Sequence, residues 1–291
     1  MPLRDSPPAP SRRIQVGLIG AGIQLSKSPA LHMREAALHG LDYSYELFDL
    51  AQRGLTPAAL PSLLAEAESR GFSGVNVTHP CKQLVLPLLT QLSPDAAAIG
   101  AVNTVTFQGG ERTGYNTDWS GFYESFERNM PDVPRRKVLL LGAGGAGVAV
   151  AHAALKANVR HLFISDIDRQ RAEQLCRQLN LRFGEHRASP RTDIDAAMTE
   201  VDGLIHATPT GMPHHPGLPI NADMLSPRHW VAEIVYVPLA TALVTLARRR
   251  GCKVLDGGGM AVFQAIGALR LFAGIEPDAQ RMTRHFDQLS S

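Results

Sequence analysis

Lys137-Val-Leu-Leu-Leu-Gly142-Ala-Gly-Gly-Ala-Gly147-Val-Ala-Val-Ala is the stretch whose reading decides the fold. An apolar run leads without a break into Gly142-x-Gly144-x-x-Gly147, and small, helix-compatible residues follow. A GxGxxG pattern alone says little; after a buried strand and at the mouth of a helix it describes a dinucleotide-binding turn. The glycines permit the turn, let a pyrophosphate approach backbone N–H groups, and bring helix and strand close, while the helix N-terminus faces the anion. Gly142, Ala143, Gly144, Gly145, Ala146 and Gly147 are therefore the expected cradle. An earlier Gly20-Ala-Gly22 also follows an apolar run, but Leu25 stands where the third glycine is required, so no dinucleotide is expected there.

Downstream, the pattern predicts a strand over 161–165 that ends at Asp166, 24 positions after Gly142. A carboxylate there accepts hydrogen bonds from the adenosine ribose and repels a 2′-phosphate. At about 5 Å and an effective dielectric of about 20, each pair of unit charges costs roughly 3 kcal/mol. That favours NAD, with NADP as second choice. Asp168 adds to the repulsion, whereas Arg169 and Arg171 point the other way, because an arginine can hold a 2′-phosphate. A helix over 169–180, strands over 203–206, 231–235 and 253–255, and a helix over 241–250 complete a doubly wound pattern.

Upstream, strands over 14–19, 43–50 and 74–78 alternate with helices over 29–40 and 57–70, the first with Ser28 as its expected N-cap. Pro80 opens an expected helix to about Leu92, and Gly109-Gly110 separates strands over 102–107 and 113–115. After a helix over 118–128, Met130-Pro-Asp-Val-Pro134 reads as a linker. The expected class is α/β with two α/β domains. These are a tail over 1–13, a substrate-binding catalytic domain over 14–120, a Rossmann dinucleotide-binding domain over 121–257, and C-terminal helices over 258–291 that return to the first domain.

Bulk properties agree. The 291 residues are 44% hydrophobic and 19% charged, enough for a sizeable core. A net charge of +2, with only short basic runs, excludes a nucleic-acid surface. No apolar stretch reaches the roughly 18–20 residues of a membrane span. The N-terminal tail has no apolar core of a secretory signal. Cys81, Cys176 and Cys252 are scattered, which points to a reducing cytoplasm and no zinc site.

The chemistry is expected where polar residues gather at the strand ends of the first domain: Ser26 and Ser28, Asn76 and Thr78, Lys82, Asn103, and Asn116 with Asp118. Ligands of open α/β sheets bind outside the carboxyl ends of the strands. Amides, hydroxyls, one lysine and one aspartate suit a small polyhydroxy acid. Oxidising a secondary alcohol requires a group that takes the hydroxyl proton, and reduction requires the matching acid. Each residue also has a plainer reading: Lys82 as a solvated helix residue, Asp118 and Ser28 as helix caps, Gln264 as a surface amide.

These stretches resemble the shikimate dehydrogenase family, in particular its NAD-linked quinate/shikimate branch. The likeness runs from Gly17 to Met282 through Ser26-Lys-Ser-Pro, Asn76-Val-Thr-x-Pro-x-Lys82, Gly100-Ala-Val-Asn-Thr104, Asn116-Thr-Asp118, the Gly142 turn and Asp256-Gly-Gly-Gly-Met260 with Gln264. The resemblance implies that Lys82 and Asp118 are the catalytic pair. It further implies that Ser26 and Ser28 bind the substrate carboxylate with Tyr236 near it, and that Asn76, Thr78, Asn103 and Gln264 hold ring hydroxyls. Ala207, Thr208, Val235 and Gly257 would border the nicotinamide. Reversible oxidation of the shikimate 3-hydroxyl is then the expected reaction, with quinate as a further substrate and the protein a monomer or homodimer. An aminoshikimate dehydrogenase, an NADP-preferring shikimate dehydrogenase, and a ligand sensor without chemistry are the alternatives. Trp119 and Ser-Asp166-Ile-Asp168 depart from the pattern of NADP-using members, and Ser28 replaces the threonine of some quinate users.

Overall fold

The computed structural model describes residues 13–290, so all of the expected tail except Arg13 lies outside the described residues. The first half supplies β1 (Ile14–Gly20), α1 (Ser28–Leu38), β2 (Tyr43–Asp49), α2 (Leu60–Ser69), β3 (Gly74–Val77), β4 (Gln91–Leu92), α3 (Pro94–Ile99), β5 (Thr104–Gln108), β6 (Glu111–Tyr115) and α4 (Thr117–Asn129). Its six-stranded sheet runs β2-β1-β3-β5-β6-β4. The β1–β2 and β1–β3 pairs are parallel, while β3–β5 and β5–β6 are antiparallel. The antiparallel register sets Asn76 opposite Thr104 and Thr104 opposite Tyr115, so the C-terminal ends of β3 and β6 and the N-terminal end of β5 lie together at one end of the sheet.

The second half supplies β7 (Lys137–Leu141), α5 (Gly145–Lys156), β8 (His161–Ser165), α6 (Arg169–Phe183), β9 (Ala188–Pro190), α7 (Ile194–Glu200), β10 (Gly203–His206), β11 (Trp230–Glu233), α8 (Ala242–Arg249) and β12 (Lys253–Leu255). Its sheet is parallel throughout, in the order β12-β11-β10-β7-β8-β9. Val138, Leu139 and Leu140 are fully buried, as expected for a central strand covered by helices on both faces. The chain closes with α9 (Gly257–Ala273) and α10 (Ala279–Gln288). Ala268 and Phe272 of α9 pack against Ile14 and Val16 of β1, and Ile266, Met282 and Phe286 share a cluster with Leu31 of α1. The C-terminal helices thus return to the first sheet.

Helix α4 joins the two halves. Asp118 lies in its first turn, whereas Phe122 and Phe126 are buried with Met130, Val133 and Trp230 in the core of the second half. The segment read as a linker is anchored by Met130 and Val133, and the Trp230 Nε1–H donates to the Pro134 carbonyl at 2.8 Å.

Two local expectations are corrected. The segment from Pro80 to Leu92 forms turns and a single 3-10 turn, Leu86–Leu88, and then the short strand β4. Pro87 sits where an α-helix would need an N–H, and its ring would strike the carbonyl four residues earlier. Lys82 therefore projects from a turn. Ser28 is the first residue of α1 and does not cap it; Lys27 occupies the N-cap without a side-chain hydrogen bond, and the Ser28 N–H donates to Ser26 Oγ at 3.3 Å.

Glu35 ties α1 to α10. Its carboxylate accepts from the Asp278 N–H at 2.8 Å and from Arg281 Nε at 2.9 Å. Burial alone would raise the carboxyl, but the Arg281 and Asp278 hydrogen bonds and the arginine charge outweigh it and hold the pKa below the usual value. A group depressed in the folded state stabilises above its unfolded pKa, and that stability is lost as pH falls through the folded value. Denaturant midpoints taken from neutral into acid should fall more steeply for the wild type than for Glu35→Gln; parallel curves would contradict this role for Glu35.

Candidate active site

Lys82 Nζ donates to Asp118 Oδ2 at 2.6 Å, with side chains 19% and 8% exposed. The lysine is held by its turn, in which the Val102 N–H donates to the Lys82 carbonyl at 2.9 Å. Asp118 is held twice. Asn116 caps α4 through Oδ1, which accepts from the Asp118 and Trp119 N–H groups, so Asn116 and not Asp118 is the cap. Asn103 Nδ2 donates to Asp118 Oδ1 at 2.9 Å, and Asn103 Oδ1 accepts from the Thr117 N–H at 2.7 Å. A carboxylate in the first turn of a helix also gains from the helix dipole. The pair is thus fixed from two sides, one end of it still open to solvent.

The neighbouring polar residues form one connected patch. Asn76 Nδ2 donates to the Asn103 carbonyl at 3.2 Å and to Thr104 Oγ1 at 3.0 Å, and Asn76 Oδ1 accepts from the Tyr45 hydroxyl at 2.9 Å. Ser28 reaches the same Tyr45 hydroxyl, whose ionisation is pushed up by burial. Thr78 follows β3, and its methyl group lies 2.3 Å from where a Cβ on Gly20 would stand, so it packs closely on the end of β1. Tyr236 keeps 37% of its surface open. Enough protein still surrounds its phenol to raise its pKa, and the Asp118 charge adds to the shift. A phenol that is partly exposed and partly desolvated describes the wall of a cleft.

The glycine turn and the loops around it stand across that cleft. Gly142 has φ +100°, and a Cβ there would meet the Ala207 carbonyl oxygen at 2.7 Å; on Gly147 it would lie 2.0 Å from the Gly142 oxygen. Only glycine satisfies both demands. A Cβ on Gly144 would meet nothing, and no side chain caps α5, so the open face of this turn fits an anion. Ala143 and Ala146 fill the turn between these glycines. A Cβ on Gly145 would lie 3.8 Å from Lys82 Cδ, which places the lysine against the turn. Asp166 accepts from the Ala143 N–H at 2.7 Å and from the Asp168 N–H at 2.8 Å. Thr208 borders Gly142, and Gly257 packs on the Ile234 and Val235 carbonyls.

Two expected members stand apart. Gln264 turns its amide back to the Ala261 carbonyl of its own helix, at 3.0 Å. Arg171 is exposed and faces Asp168 at 3.2 Å, as Arg169 faces Glu173 at 2.7 Å. Tyr45, which links Ser28 to Asn76, escaped the sequence reading; its one signal is a tyrosine in the alternating strand β2.

Among the described residues, no helix is long and apolar enough to cross a membrane. The family model described as "Shikimate dehydrogenase substrate binding domain" matches residues 18–105, and that described as "Shikimate / quinate 5-dehydrogenase" matches 124–215. A shikimate dehydrogenase (NADP(+)) of Streptomyces avermitilis is 52% identical, over 94% of this chain and 95% of that protein. A quinate/shikimate dehydrogenase (NAD(+)) of Corynebacterium efficiens is 42% identical, over 94% and 97%. The solved quinate dehydrogenase of Corynebacterium glutamicum in complex with NAD superposes with a TM-score of 0.89 at 41% identity, covering 95% of this chain and 99% of that one. Both halves match in order and nearly end to end: the chain is an oxidoreductase of the shikimate/quinate dehydrogenase family.

Proposed function

We propose that the chain oxidises the 3-hydroxyl of shikimate reversibly to the 3-keto acid with NAD, and accepts quinate as a second substrate. The observation that carries this reading is the Lys82–Asp118 pair at 2.6 Å, set against the glycine turn. When bound, the nicotinamide supplies the hydride acceptor or donor. Lys82 Nζ exchanges the proton of the reacting hydroxyl, and Asp118 fixes the ammonium. Asn103 orients Asp118 and, with Asn76 and Thr78, faces the ring hydroxyls. Ser26 and Ser28 present hydroxyls to the substrate carboxylate, with Tyr236 beside it; Gln264 joins the ring contacts by turning its amide away from Ala261. The backbone N–H groups of residues 142–147 hold the pyrophosphate, Asp166 the ribose, and Ala207, Thr208, Val235 and Gly257 flank the nicotinamide.

NAD is preferred because the arginines near the ribose position face carboxylates, Arg171 with Asp168 and Arg169 with Glu173. The NADP reading is favoured by the name of the Streptomyces relative, and Arg171 would supply its phosphate contact. The free cysteines suit a reducing cytoplasm, where the enzyme acts as a monomer or homodimer. Absorbance of the reduced nicotinamide with shikimate and with quinate, each with NAD and NADP, is the test. Turnover highest with shikimate and NAD is the expected result; no turnover in any of the four mixtures would overturn the reading.

A further inference from the structure

Behind the expected nicotinamide wall lies a buried polar pair, His206 and Glu233, that none of the roles above uses. Register pairs the last residues of two neighbouring parallel strands, His206 of β10 and Glu233 of β11. Both side chains are fully buried, and His206 Nδ1 lies 2.8 Å from Glu233 Oε1. Glu233 Oε1 also accepts from the Val235 N–H at 3.0 Å, and Oε2 accepts from the Thr241 hydroxyl at 3.0 Å. Thr241 is the N-cap of α8. On the other side of the ring, His206 Nε2 lies 2.5 Å from Thr208 Oγ1, which in turn accepts from the Thr210 N–H at 3.3 Å.

The network therefore clamps two loops together. One is the turn Ala207-Thr208-Pro209-Thr210 after β10; the other is the stretch leading through Val235 to Tyr236 after β11. Both press on the dinucleotide side of the cleft: the Ala207 carbonyl against Gly142, and the Val235 carbonyl against Gly257. An ionised carboxylate can only accept, and Glu233 already takes the Val235 N–H and the Thr241 hydroxyl, so His206 Nδ1 is the hydrogen-bearing nitrogen facing it. The imidazole then has Nε2 for the Thr208 hydroxyl alone. Buried polar networks that are fully satisfied are rigid, because breaking any one bond strands a desolvated partner.

We infer that His206 and Glu233 are positioning residues for hydride transfer: together they set the spacing of the Thr208 turn and the Val235–Tyr236 segment, and hence the face on which the nicotinamide lies. This rests on the proposed dehydrogenase reading; wild-type turnover is measured first, so loss of that reading is seen separately from loss of this one.

The test compares His206→Phe, His206→Asn and Glu233→Gln with the wild type, each first checked for cooperative thermal unfolding. Phe fills the space of the imidazole without hydrogen bonds, so its ring no longer holds either loop. Misplacing reacting groups by about 1 Å costs on the order of 10²-fold. The expected result is a fall in kcat of about 10- to 100-fold for His206→Phe, with a raised dinucleotide KM and the shikimate KM within about twofold of wild type. His206→Asn, whose amide still donates to Glu233, should return kcat to within about threefold, and Glu233→Gln should fall between the two. Should His206→Phe not fold, Glu233→Gln, which keeps the shape of the carboxylate while exchanging one acceptor oxygen for a donor, is expected to show the same split at a smaller fall. A drop in thermal stability with kcat unchanged would overturn the inference, as would a parallel rise in both KM values with no recovery in His206→Asn.

Discussion

Lys82→Ala should lower kcat for shikimate oxidation by about 10²–10⁴-fold, the range typical of a placed proton-transfer group. The dinucleotide KM should stay near wild type, because the contacts proposed for the turn at 142–147 run through its backbone. The substitution leaves the local fold intact: the turn around Lys82 is held by the Val102 N–H on the Lys82 carbonyl and the Cys81 N–H on the Thr78 carbonyl, neither of which involves the side chain. Asp118 also keeps its partners, Asn103 Nδ2 and the N-terminus of α4. The loss therefore reads the proton step rather than unfolding. Steady-state rates at saturating shikimate and NAD, with thermal unfolding as the control, measure it; a kcat within about threefold of wild type would remove Lys82 from the chemistry.

Asp166→Ala should raise the NADP-to-NAD ratio of kcat/KM by about two orders of magnitude, from the roughly 3 kcal/mol that a carboxylate costs a nearby phosphate charge. The change arises in both halves of the ratio. Removing the carboxylate ends the repulsion of a 2′-phosphate and leaves Arg171, now facing Asp168, able to turn toward it. It also removes the acceptor proposed for the ribose hydroxyls, so NAD use falls, whereas the loss of the Ala143 and Asp168 N–H contacts weakens both cofactors alike. Kinetics with each cofactor at fixed shikimate give the ratio. If both cofactors lost activity equally, Asp166 would be a brace of the turn and not a reader of the ribose.

How far the sequence carries depends on the range of the interaction. The strand–glycine–helix unit at 137–156 was legible because backbone sterics and apolar periodicity act within a few residues. So were Asp166 at the strand end and the alternation of strands with helices. The helix expected from Pro80 failed because Pro87, four residues from Gln83, outweighs a merely compatible composition. Helices α3 and α7 and strands β4 and β9 went unread; they are two to seven residues long, too short for a periodic signal. A cap was the plainer reading of Asp118, yet Asn116 caps α4; both residue types cap well, and only the geometry separates them. For Gln264 and Arg171, residue type and place in the chain were readable but side-chain direction was not.

The sequence by itself determined the class of the fold, the glycine turn that opens α5 and the inventory of polar and charged groups at the strand ends, because those follow from local sterics, hydrophobic patterning and residue type. Only the tertiary structure decided which of these groups meet. Lys82 and Asp118 are 36 residues apart, and His206 and Glu233 are 27 apart. Their contacts come from sheet order, strand register and the packing of α4 between the halves. These are set by the burial of the whole core, which no short window of sequence contains.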